Sequence, residues 1–137
     1  MRGIDGMRLH HLGIASADPE RTAAFVRQAW DIVSETGPVH DPLQNADLCM
    51  LTTSQGAAIE IVSGPAVAAF VKRATALYHS CFEVDDITSA VERLKAAGAL
   101  ALSDPKPAVL FDGRPVCFLQ TPIGLLELLQ APGGASP

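Results

Sequence analysis

The sequence predicts an α+β fold built from two βαβββ modules in tandem, and three observations carry that prediction. Two strand-then-helix units open with an aspartate placed to cap the helix, Asp18 and Asp86. Each unit is followed by short apolar segments separated by turn residues, the pattern of strands. The chain also resembles itself at one period. A shift of 68 residues lays His11 on His79 and Asp18 on Asp86, and a shift of 67 lays Glu60 on Glu127 and Pro65 on Pro132. Self-similarity over such a period marks a duplicated structural unit.

Taken in order, Leu9–Ser16 reads as a strand and Pro19–Ala29 as a helix. Asp18 is the N-cap and Pro19 holds the first helical position, where its missing N–H costs nothing. Thr22, Phe25, Val26 and Ala29 form the apolar face expected to turn inward. Strands are predicted near Ile32–Thr36, Ala46–Thr52 and Ala57–Val62, the last two joined by Ser54-Gln55-Gly56. The second unit begins with a strand at Leu77–Val84. Asp86 then caps a helix whose inner face is Ile87, Ala90, Val91 and Leu94, ending near Gly98. Strands near Ala99–Leu102, Val116–Gln120 and Leu125–Gln130 complete it, and the tail after Ala131 is expected to fray. The repeats therefore span about 8–65 and 76–132 within a single domain covering 1–137.

Composition narrows the function. Hydrophobic residues make up 48% of the 137, enough for a proper core in a chain of one-domain size. The net charge of −5, with no run of Lys or Arg, argues against nucleic-acid binding. No apolar stretch approaches a membrane span, and MRGIDGMRLHH lacks the apolar core of a signal peptide. Cys49, Cys81 and Cys117 are odd in number and lack CxxC spacing, so they are read as reduced buried thiols. A cytoplasmic location is expected.

The repeat singles out four polar residues in apolar strands. Within each half the histidine-to-glutamate separation is nearly equal, 49 residues from His11 to Glu60 and 48 from His79 to Glu127. Alternation puts Ala58, Glu60 and Val62 on one strand face and Ile59 and Ile61 on the other. In the last strand it groups Glu127 with Leu125 and Leu129. A bare carboxylate among such neighbours costs several kcal/mol or stays protonated. No Lys or Arg lies within two residues of either glutamate. One histidine in a strand is more often a packing residue than a ligand. Two symmetry-related His–Glu pairs instead point to one divalent metal, Zn, Ni, Co, Mn or Fe, with open positions for catalysis. His11 shares its face with Gly13 and Ala15, and His79 with Cys81 and Glu83. His10 falls on the opposite face and is placed outside the site, as is His40 in a segment between Pro38 and Pro42.

These motifs, LHHLGIA, AAIEIVS, LYHSCFEVDDI and GLLELLQ, resemble the vicinal oxygen chelate superfamily. That group includes glyoxalase I, extradiol dioxygenases, bleomycin and fosfomycin resistance proteins, and methylmalonyl-CoA epimerase. The similarity runs from Leu9 to Pro132 and is greatest to the epimerase branch. The chain departs from that branch at Ala74-Thr75-Ala76, where a Gly-rich stretch is usual, and at Gln120-Thr121-Pro122, where His-Pro-Lys is common. The resemblance implies modules whose mixed sheet curls around a metal held by His11, Glu60, His79 and Glu127, and it implies a homodimer.

Such a site suits proton abstraction α to a carbonyl, with Glu60 and Glu127 as the catalytic carboxylates on a small acyl thioester or similar substrate. Lys72, Arg73 and Arg114 are the expected anion contacts at the pocket rim. The segment from Gly37 to Gln44 is expected as a loop partly covering the site, with Gln44 or Asp41 near the ligands. A methylmalonyl-CoA epimerase-like isomerase is the first expectation. A glyoxalase I-like lactoylglutathione lyase is the alternative, ahead of an extradiol dioxygenase or a non-catalytic drug-binding resistance protein.

Overall fold

The structure, a computed structural model, describes Ile4 and residues 6–133. Residues 1–3, 5 and 134–137 lie outside the described residues. The end of the tail expected to fray and part of the N-terminal stretch MRGIDGMRLHH are among them. Two compact units emerge, residues 11–78 and residues 1–10 with 79–137, and the same strand-helix logic builds each. No helix among the described residues is long and apolar enough to cross a membrane.

In the unit of residues 11–78, strand β1 (Arg8–Ala15) leads into helix α1 (Pro19–Ala29). Asp18 caps that helix as expected, its carboxylate accepting from the Arg21 N–H. Strands β2 (Ile32–Asp41), β3 (Ala46–Thr53) and β4 (Ala58–Ser63) follow as an antiparallel run. The part of β1 in this unit then lies parallel to β4, giving the order β2-β3-β4-β1. Parallel pairing of β1 with β4 requires a long connection between them, and α1 with the β2–β3 hairpin supplies it.

Helix α1 packs Ala23 and Val26 onto Leu51, Ile59 and Ile61, with Ile14, Ile32 and Cys49 at the margin. The inner face differs from the one expected. Phe25 is 65% exposed and meets Trp30 edge-on, and Ala29 is exposed as well. The buried stripe of the helix is centred on Ala23 and Val26, which leaves Phe25 on the outer side. Thr22 is half-buried through its hydroxyl, 2.7 Å from the Ser16 hydroxyl.

The other correction lies in β2. The segment expected as a covering loop from Gly37 to Gln44 is strand as far as Asp41, and the turn is confined to residues 42–45. Gly37 and Pro38 are absorbed by a register shift between Thr36 and Val39, after which pairing resumes at Val39↔Leu48. Gly37 sits at φ +94, and a Cβ there would meet the Leu48 carbonyl oxygen at 2.6 Å. Glycine is required by the bulge rather than by a loop. A one-turn helix at Pro65–Val67 and helix α2 (Ala68–Lys72) then lead to the second unit's strands.

In the second unit, strand β5 (Leu77–Val84, from His79 onward in this unit) precedes helix α3 (Ile87–Ala96), capped by Asp86 through the Ser89 N–H. Strand β5 pairs parallel with β9 (Gly124–Gln130), and β9 pairs antiparallel with β8 (Pro115–Thr121). Two short strands, β6 (Leu100–Ala101) and β7 (Lys106–Pro107), share the far edge of β8. Shifted by 68 residues, β2 falls across both of them. The second repeat thus breaks into two pieces the strand that the first repeat merely bulges. The expected inner face of α3 holds: Ile87, Ala90 and Val91 are buried with Val84, Cys117, Leu119, Leu126 and Leu128, and Leu94 packs at the edge.

Gln130 ties these elements together. It is buried at the end of β9, where its Oε1 accepts from the Ile87 N–H at 2.9 Å and its Nε2 donates to the Asp85 carbonyl. The first N–H groups of a helix lack partners within it, so this side chain completes the start of α3. Gln130→Leu leaves the buried Ile87 N–H unsatisfied and removes the bond to the Asp85 carbonyl. The expected loss is about 1–3 kcal/mol, read from urea unfolding. A change within measurement error would show that water takes over both bonds.

Candidate metal centre

The strand faces predicted from alternation are the faces observed, and they divide core from site. In the first unit Ile59 and Ile61 of β4 point at α1, so Ala58, Glu60 and Val62 point to the other side of the sheet. The register sets Glu60 beside Gly13 on one flank and Met50 on the other. His11 lies two residues before Gly13 on the same face, and its Nε2 comes 3.4 Å from Glu60 Oε1. Both side chains are buried, the imidazole completely.

The second unit repeats this construction. Leu126 and Leu128 of β9 pack on α3, which sends Glu127 to the opposite face beside Cys81 and Phe118. His79 Nε2 lies 3.1 Å from Glu127 Oε1, again with both side chains buried. The ring of Phe118 stands edge-on to the His79 imidazole, with centroids 5.2 Å apart and planes at 82°.

Each pair has the donor set and spacing of a chelate. Ligands about 2.0–2.2 Å from one divalent ion, and at right angles across it, are about 3 Å apart. The separations of 3.4 and 3.1 Å between imidazole nitrogen and carboxylate oxygen match that edge. Nitrogen and oxygen donors in a dry strand face suit a borderline divalent cation, and each buried carboxylate gains from one.

The expected anion contacts fare differently. Arg114 donates to Glu83 Oε2 at 3.1 Å and to the Gln130 carbonyl at 3.0 Å, and its guanidinium lies over the Phe111 ring at 5.6 Å. Glu83 also receives Arg8, which reaches Asp85 as well. The Arg114 guanidinium is thus built into a structural network at the end of β5 and β9. Lys72 ends α2 and is exposed. Arg73 is exposed too, with its guanidinium 5.2 Å from the centre of the Phe70 ring, which leans on Tyr78.

Gln44 is half-buried in the turn after β2, where its N–H donates to Asp41 Oδ1 at 3.3 Å. Asp41 is fully buried and also accepts from the Leu43 N–H, so it orders that turn. His40 lies in β2 rather than in a loop; it is exposed, with Nδ1 3.0 Å from Asp47 Oδ1. His10 packs edge-on against Phe111, with ring centroids 5.4 Å apart. All three cysteines are free thiols, and burial pushes the Cys49 and Cys117 thiols above the ordinary range.

The residues that sequence reasoning missed are Met50 and Phe118, which flank the two glutamates from equivalent strands. A signal was present, since the shift of 68 that superposes the histidines also superposes Met50 on Phe118.

Comparison with known proteins gives a consistent picture. The profile of the Glyoxalase/Bleomycin resistance protein/Dioxygenase superfamily matches residues 10–118. An ethylmalonyl-CoA/methylmalonyl-CoA epimerase of Cereibacter sphaeroides is 34% identical over 118 residues, covering 82% of this chain and 87% of the relative. The crystal structure of methylmalonyl-CoA epimerase from Mycobacterium tuberculosis has a TM-score of 0.76 at 19% identity, covering 96% of this chain and 94% of that one. A hypothetical protein of Bacillus halodurans has the same TM-score at 20% identity, covering 97% and 100%. At these identities the two structures speak for the fold.

Proposed function

Because the chain belongs to the Glyoxalase/Bleomycin resistance protein/Dioxygenase superfamily, we propose that it is a divalent-metal-dependent isomerase, an epimerase that moves a proton α to the carbonyl of an acyl thioester. Both units act as one domain in this reading, and His11, Glu60, His79 and Glu127 hold a single ion. The observation that carries it is the duplication of a buried His–Glu pair at register-equivalent strand positions. The likeness to an acyl-CoA epimerase over most of the chain supports the substrate class.

Two carboxylates and two neutral imidazoles balance the charge of a divalent ion. When bound, such an ion supplies Lewis-acid stabilisation of the negative charge that builds on a substrate carbonyl oxygen. The protein residues do the rest. Glu60 and Glu127 accept and return the proton, His11 and His79 would hold the ion through their ring nitrogens, and the apolar strand faces exclude water from the reacting carbon. Met50 and Phe118 are the side walls against which the acyl group rests. Two carboxylates in equivalent positions of a repeat can serve the two faces of one α-carbon, which is what an epimerase needs and a simple hydrolase does not.

The test is exchange of the α-proton of methylmalonyl-CoA in heavy water, followed by mass spectrometry. Exchange that is abolished by a chelator and restored by added divalent metal is expected. Glu127→Gln should slow it by about 10²–10⁴, the usual contribution of a positioned acid or base. No exchange from methylmalonyl-CoA, with turnover of a glutathione hemithioacetal instead, would sink the epimerase reading in favour of the lyase.

A further inference from the structure

Outside the two His–Glu pairs, Asp41 is the one fully buried carboxylate among the described residues. It closes β2 opposite Ala46, and Ala46 and the next residue on that face, Leu48, are buried as well. Paired residues share a face, so Asp41 lies on the side of the sheet that carries Met50 and Glu60. Met50 is four residues further along β3 than Ala46, about 13 Å at strand spacing, which sets this carboxylate apart from the metal centre.

Its two oxygens are served unequally. Oδ1 accepts from the Leu43 N–H at 2.9 Å and from the Gln44 N–H at 3.3 Å. Oδ2 is buried and meets no donor among the described residues, and no Lys, Arg or His of theirs pairs with it. N–H donors suit an ionised oxygen, and a buried negative charge is ordinarily paired or coordinated. With no side-chain cation at hand, the counter-charge has to come from solvent. One positive charge balances Asp41, whereas a divalent ion would leave a buried excess. Oxygen donors select a hard cation, and the half-buried Gln44 amide is the neutral oxygen in the same turn that can join the carboxylate, together with water.

We propose that Asp41 Oδ2 anchors a monovalent-cation site, for sodium or potassium, at the closed end of the β2–β3 hairpin. The site holds structure rather than substrate. Asp41 already orders the turn at 42–45 through Oδ1. The Asn45 carbonyl in turn accepts from the Ala66 N–H at 3.3 Å, which ties that turn to the one-turn helix Pro65–Val67. A cation neutralises the buried charge at this junction, so the firmness of the hairpin end against the segment leaving β4 depends on which salt is present. No divalent metal enters into it.

Thermal unfolding of the wild-type chain in sodium, potassium or choline chloride, at equal ionic strength and without added divalent metal, tests this. Choline is too large to enter a buried oxygen site. A saturable Tm rise of about 3–8 °C over choline is expected in sodium or potassium chloride, the effect of an ion present well above its Kd. The salt that gives the larger rise names the ion. Asp41→Asn removes the charge and should lose that rise, while standing at or above wild type in choline, where the unpaired carboxylate costs stability. Asp47→Asn, which alters an exposed carboxylate of the same hairpin, should keep the rise in full. Thallium-205 NMR on the folded wild-type chain, in nitrate salts, needs no variant: a shifted thallium(I) resonance that sodium or potassium nitrate displaces is expected. Equal Tm values in the three salts, a rise that survives Asp41→Asn, or one that Asp47→Asn also removes would overturn the proposal. So would the absence of any displaceable thallium resonance, and a buried water would then be the partner of Oδ2.

Discussion

Replacing His79 with alanine is expected to weaken binding of a divalent ion by about a hundredfold or more, and with it to abolish α-proton exchange. The magnitude follows from the free energy of a four-ligand site, about 10–16 kcal/mol for zinc, shared among its donors at about 3 kcal/mol each. Losing the imidazole also removes the edge that Phe118 packs against and leaves the buried Glu127 carboxylate without its nitrogen neighbour 3.1 Å away. The change should therefore appear twice, as lost metal in a chelator titration and as lost protection against heat when metal is added. A ligand at 100 times its Kd stabilises the folded state by about 2.7 kcal/mol, which for a chain of this size is a Tm rise of about 5–10 °C. Wild-type protein should show that rise and the His79→Ala variant should not. An unchanged metal response in the variant would remove His79 from the site.

The second large effect concerns stability alone. Leu128 is completely buried in β9, on the face of the sheet that packs against α3, among Ile87, Val91, Cys117 and Leu119. Leu128→Ala is expected to cost about 3–5 kcal/mol, the transfer term for the lost methyl groups plus the cavity they leave. The neighbours are held by strand pairing on both sides and cannot collapse far into the gap. Guanidinium unfolding measures this directly, and a loss under about 1 kcal/mol would mean that the core relaxes around the hole. Because Leu128 and Glu127 are adjacent residues on opposite faces, the variant also separates core from site: metal affinity should survive while stability falls.

Much of this was legible in the residues because the elements that carry the site are the regular ones. Asp18 and Asp86 cap helices that begin where alternation ends, and both caps form as expected. The four buried polar residues were legible because a repeat turns four weak signals into two matched pairs. What escaped has specific physical reasons. Strand β2 runs through Gly37 and Pro38, residues that ordinarily end a strand, because a register shift absorbs them. Helix α1 buries Ala23 and Val26 and turns Phe25 outward, a rotation about its axis that apolar periodicity alone does not specify. Helix α2 is five residues long, too short to show a helical period. Arg114 looked like a rim cation, but its partners Glu83 and the Gln130 carbonyl are 31 and 16 residues away in sequence. Gln130 itself looked like the polar end of a strand and proves to hold the start of α3.

The central claim is that two half-sites, one from each repeat, serve a single ion. Metal content after dialysis measures this most directly, for the wild-type chain and for two double variants, His11→Ala with Glu60→Ala and His79→Ala with Glu127→Ala. The claim predicts one divalent ion per wild-type chain and none in either double variant, because half of a four-ligand set cannot retain the ion against dialysis. A wild-type chain without metal, or a double variant that keeps a full equivalent, would contradict it.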